Sequence, residues 1–117
     1  MMPAAATARV VIFRPGQSPE IATIDTSLAA MQKLVGGFLG GLQLPGSLFL
    51  YFDEDGRTAG KATCAYVDGL GDVVVGVCLA TGIDDAGEIR SLTDDEIVAV
   101  KRLVVPVAFV ARERFEA

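Results

Sequence analysis

Turn-forming residues interrupt this chain so often that only short elements fit between them. Pro15-Gly16, Gly36-Gly37, Gly40-Gly41, Pro45-Gly46 and Asp55-Gly56 each pair residues that favour tight turns, and Pro106 cuts the last apolar stretch. The runs left between them are rich in Val, Ile and Phe, which suit strands. A chain of 117 residues has room for one hydrophobic core, and with 51% hydrophobic and 21% charged residues it is globular. The expectation is a short flexible segment over residues 1–7, followed by a single α+β domain over residues 8–117.

The first strand is expected over residues 9–14, Arg-Val-Val-Ile-Phe-Arg, with Pro15-Gly16-Gln17 turning it into a second strand over residues 18–24. Gly40-Gly41 and Pro45-Gly46 make the region after the first helix irregular. Residues 47–53, Ser-Leu-Phe-Leu-Tyr-Phe-Asp, form a short apolar run that reads as a buried strand. Asp53-Glu54-Asp55-Gly56 is a turn. Residues 62–68 and 72–80 are two further strands, and Gly76 within the second suggests a bulge or a close backbone approach.

Two helices carry their own boundary signals. Asp25-Thr26-Ser27 offers three N-cap oxygens, and Leu28, Met31, Leu34, Val35 and Phe38 then form one apolar stripe before Gly36-Gly37 closes the helix. Thr93-Asp94-Asp95-Glu96 is a capping box, with Leu92 and Ile97 placed for a hydrophobic staple. Pro106 must kink or end this second helix, and a last helical piece is expected over residues 107–115. The predicted fold is a mostly antiparallel sheet of about five strands with two or three short helices, the two main helices side by side on one face.

The opening Val-Val strand, Pro15-Gly16, Pro19-Glu20, Ile24-Asp25, Gln32-Lys33-Leu34-Val35-Gly36-Gly37-Phe38, the acidic turn at 53–56, the Val-Val-Val-Gly run and Ser91-Leu92-Thr93-Asp94-Asp95-Glu96-Ile97 occur in a familiar order. Over roughly residues 8 to 100 the chain resembles a small uncharacterised domain family of phages, plasmids and other bacterial mobile elements. The chain departs from that family at Leu39-Gly40-Gly41, where an acidic residue is usual, and at residues 57–62, where the family has a Pro-rich segment containing Asn. The resemblance implies a mobile-element setting and no activity.

The chemistry-bearing motifs mostly reduce to structure. Gly56-Arg57-Thr58-Ala59-Gly60-Lys61 has one residue too few between its glycines for a phosphate loop, and Ala62 stands where a hydroxyl is needed. Gly69-Leu70-Gly71 lacks the third glycine of a dinucleotide fingerprint and leads into a strand. Arg57 occupies a ligand slot that a calcium loop starting at Asp53 would need, and the acids between Asp84 and Glu96 serve capping and solvation. With no His and only Cys64 and Cys78, neither a zinc site, a nucleophile nor a disulfide scaffold is expected; both thiols read as small buried hydrophobes.

No catalytic residue, metal ligand or cofactor is therefore expected. A net charge of -5 argues against nucleic acid as a partner. The apolar run over residues 97–111 is broken by Lys101, Arg102 and Pro106, so no membrane span is expected either, and the protein is expected to be cytoplasmic. Gly36 and Gly37, flanked by Lys33 and Phe38, together with Arg57 and Lys61, are the candidate site for a small anionic ligand, with a nucleotide signal captured to blunt host defence as the setting. The alternative is an inhibitor or adaptor that meets a host protein through an acidic or apolar face. A mean hydropathy of +0.46 in such a chain points to a homo-oligomer.

Overall fold

The computed structural model describes residues 6–68 and 71–107, which form nine strands and two helices. Strands β1 (Thr7–Phe13), β2 (Glu20–Asp25), β3 (Leu39–Leu44), β4 (Leu48–Asp53) and β7 (Cys78–Ile83) make the main antiparallel sheet in the order β2-β1-β7-β4-β3, and β8 (Ile89–Arg90) pairs with β7. A second antiparallel sheet has the order β6-β5-β9, from β5 (Thr63–Val67), β6 (Asp72–Val75) and β9 (Val104–Pro106). The α+β class and the antiparallel pairing are as expected; the strand count and the division into two sheets are not. Thr7 already belongs to β1, and the Thr26 amide bonds the Ala6 carbonyl.

Both faces of the main sheet are buried. Val10 and Ile12 of β1 and Leu79 of β7 pack with Met31 and Val35 of helix α1 (Leu28–Val35). Val11 and Phe13, one pleat over, join Cys78 and Ala80 in a second cluster with Ile97 and Val100 of helix α2 (Asp94–Leu103) and with β5 and β6. The helices therefore lie on opposite faces, not side by side. This explains why Val10 to Phe13 are all apolar and buried instead of alternating.

The capping signals hold in detail. Ser27 accepts the Ala30 amide at the start of α1, and Gly36 ends it in the left-handed region at φ 78°. The apolar stripe is shorter than its spacing suggests: Phe38 lies beyond the helix and Leu28 at its exposed first turn, both largely in solvent. At α2, Thr93 and Glu96 form the reciprocal box, and Leu92 and Ile97 are both buried. The helix ends at Leu103, three residues before Pro106, because Val104 and Val105 turn extended to pair with β5. The helical piece expected over residues 107–115 lies almost wholly outside the described residues.

Glycines account for the two misread strands. Gly40 and Gly41 sit inside β3 because aromatic rings occupy the space a side chain would need: a Cβ on Gly40 would lie 2.9 Å from Phe52, and one on Gly41 would overlap the Phe49 ring. Gly76, at φ 72°, divides the 72–80 run. Residues before it stay in the smaller sheet, and residues after it become β7, which is inserted between β1 and β4 of the larger one.

Candidate functional site

Strand β4 ends at Asp53, whose carboxylate is buried beneath the end of α1. Lys61 reaches back across the intervening loop and pairs with it at 2.5 Å, while the Asp55 amide donates to the other oxygen at 2.9 Å. The same ammonium donates to the Val35 and Gly36 carbonyls at 3.0 and 3.1 Å, so it also caps the negative end of the α1 dipole. Glycines make room for this arrangement: a Cβ on Gly37 would overlap the Asp53 carboxylate, and one on Gly76 would lie 2.9 Å from the Lys61 stem. The hydrogen bond from Lys61, and then that from the Asp55 amide, hold the Asp53 carboxyl below the usual carboxylate range despite its burial.

Arg57 stands in the same loop and faces the other way. Its guanidinium donates to the Asp72 carboxylate at 2.8 Å and to the Val73 carbonyl at 2.7 Å. The pair is well exposed, and Arg57 together with the Val73 amide lowers the Asp72 pKa. Arg57 stands at the edge of a cleft of about 290 Å³ where the two sheets face each other. Leu42, Phe52, Val67 and Val74 supply apolar walls, and Glu54 and Asp72 add carboxylates beside Arg57. Asp53 borders both the cleft and the Lys61 cluster.

The six predicted site residues thus divide. Gly36, Gly37 and Lys61 converge on Asp53, but the Gly36 and Gly37 amides both donate to the Gln32 carbonyl and the Lys61 ammonium already has three oxygen partners. Arg57 belongs to the cleft. Lys33 and Phe38 are exposed, on the last turn of α1 and just beyond it. Sequence reasoning missed Asp53 as the hub, because Asp53-Glu54-Asp55-Gly56 has the composition of a turn. Its place at the end of the apolar run 48–52 was the available signal.

The matching sequence profile covers residues 8–104 and is that of DUF3846, a domain of unknown function. The chain belongs to this family. Nothing among curated proteins or solved structures matches it. The uncharacterised family expected from the motifs is therefore the right kind, and its span agrees with the roughly 8 to 100 that the motifs cover.

Other reactive groups of this DUF3846 domain have structural partners. Cys64 and Cys78 are free and buried in one cluster, and the hydrogen bond that the Cys78 thiol donates to Cys64, together with burial, holds Cys78 far above its ordinary pKa, so it stays protonated. In the acidic stretch, Asp84 accepts the Ala86 and Glu88 amides, Asp94 pairs with Arg9, and Glu96 takes a two-pronged bond from Arg90 at 2.7 and 2.8 Å. That bond from Arg90 lowers the Glu96 carboxyl to about 2. Among the described residues, no group of three or more Cys, Asp and Glu side chains is placed to hold a metal ion.

Proposed function

We propose that the DUF3846 domain is a non-catalytic binding protein that holds a small anionic ligand with an apolar body, such as a nucleotide, in the cleft between its sheets. Arg57 receives the anionic group, and Leu42, Phe52, Val67 and Val74 receive the apolar part. The observation that carries this reading is the position and partnership of Arg57. Its pair with Asp72 is 61% and 67% exposed, and exposed pairs contribute roughly 0–1 kcal/mol. A phosphate that accepts both prongs of the guanidinium can displace Asp72 at little cost. The helix end is a poorer seat for an anion, since its amides and Lys61 are already engaged. With no His in the chain, and with Asp53, Asp72 and Glu96 held as ion-paired carboxylates, the ligand is held unchanged. In the mobile-element setting implied by the motifs, such capture would withdraw a host defence signal.

The test is thermal denaturation of wild type and Arg57→Ala against a panel of nucleotides and cyclic nucleotides, followed by mass analysis of what heating releases. One or more panel members should raise the melting temperature of the wild type, should fail to do so for Arg57→Ala, and should be recovered intact. No stabilisation by any member overturns the reading and puts a host-protein partner ahead. Chemical conversion of a member would replace it with an enzyme.

A further inference from the structure

We infer that two copies of the chain join edge to edge along β3, antiparallel and about a two-fold axis at Gly41, to make one continuous sheet. The inference rests on strand edges alone and is independent of the cleft. An edge strand offers unpaired amides and carbonyls to another chain, and soluble proteins normally guard it with charge, proline or shortness. The other edge strands among the described residues are guarded in this way, and β8, which pairs with β7 beside the main strand order, is only two residues long. Strand β2 has an acid at each end, Glu20 and Asp25, and charged side chains on an edge strand are one of the guards against pairing with another chain. Strand β6 is four residues long and begins with Asp72, and β9 is three residues long and ends in Pro106, which has no donor.

Strand β3, Leu-Gly-Gly-Leu-Gln-Leu, is six residues long with neither charge nor proline. The bond from the Glu54 amide to the Phe38 carbonyl continues the β3–β4 register and marks the even-numbered residues as those bonded to β4. Leu39, Gly41 and Gln43 therefore present their amides and carbonyls outward. Setting Gly41 opposite Gly41 of the second copy pairs Leu39 with Gln43 in both directions and places no charge against another. It also brings together the two Phe49 rings, each of which fills the side-chain space of its own Gly41. Phe38, 67% exposed, stands at the end of this edge and would be covered opposite Leu44 of the second copy.

Sedimentation equilibrium at micromolar concentration, on wild type, Gln43→Pro and Thr23→Pro, tests the inference. Both substitutions remove an outward amide from an edge strand, since the Thr26–Ala6 bond makes Thr23 outward on β2. Wild type and Thr23→Pro should sediment at twice the 12.2 kDa of one chain, and Gln43→Pro at half their mass. A wild-type protein of single-chain mass, or a Gln43→Pro variant that stays dimeric, overturns it. Hydrogen exchange on the wild type needs no variant: the Gly41 amide should be protected, increasingly so with concentration, and an amide exchanging as fast as that of Thr23 also overturns it.

Discussion

Two acid–base pairs flank one loop, and they behave differently. Asp53–Lys61 closes the loop over residues 53–61 and Arg57–Asp72 ties it to β6, and both consist of an ordinary carboxylate and an ordinary cation. The first is buried at its acid, and Lys61 also satisfies two carbonyls at the end of α1. The second lies in water at the mouth of a cleft. Burial, not residue type, decides which pair holds the fold and which is free to exchange its partner. A basic residue in a glycine-rich loop is therefore evidence for a ligand only once its carboxylate partner, if any, is located.

Removing the buried cation should have the largest effect on that contrast. Lys61→Met leaves Asp53 charged and without its cation and strips the helix end of its cap, at a cost of about 3–5 kcal/mol. Chemical denaturation should show it as a large fall in midpoint. A loss below about 1 kcal/mol would place this pair in the same class as Arg57–Asp72.

Acid should sharpen the contrast with a smaller effect. Carboxyls whose folded pKa is depressed contribute stability that is present above their unfolded pKa and lost as pH falls through the folded one. For Glu96 the window runs from about 4.5 down to about 2, and Asp53 titrates in the same direction. Melting temperature should fall across that window, and less steeply in Glu96→Gln, whose side chain no longer takes up the proton.

The smallest stability change belongs to the exposed pair. Arg57→Ala should shift stability by about 0.5 kcal/mol or less, measured by the same denaturation, although it is the substitution expected to abolish ligand binding.

Signals that act over a few residues were legible in the sequence. The Ser27 and Thr93 caps, the Gly36 stop and the β1–β2 hairpin all depend on neighbours within one turn, and each is present. What stayed hidden depends on residues distant in the chain. Gly40 and Gly41 look like a loop until the Phe49 and Phe52 rings that fill their places are known. Gly76 looks like a bulge until the second sheet gives the preceding valines somewhere else to go. Of the candidate site, Arg57 kept its place beside a cleft, whereas Lys61 was claimed by an aspartate that reads as part of a turn.

The insertion of β7 between β1 and β4 also bears on how the chain reaches this state. The β1–β2, β3–β4 and β5–β6 pairings are hairpins, closed by loops short enough to form early and independently. Strand β7 pairs with β1 across most of the chain, and among the described residues it is the only strand that bridges the first two hairpins. Until it arrives, those hairpins have no common sheet and α1 and α2 have no common support. Non-local pairing is the slow kind, so docking of residues 78–83 is expected to come after the hairpins, and until it does the inner edges of both are open to pairing with other chains.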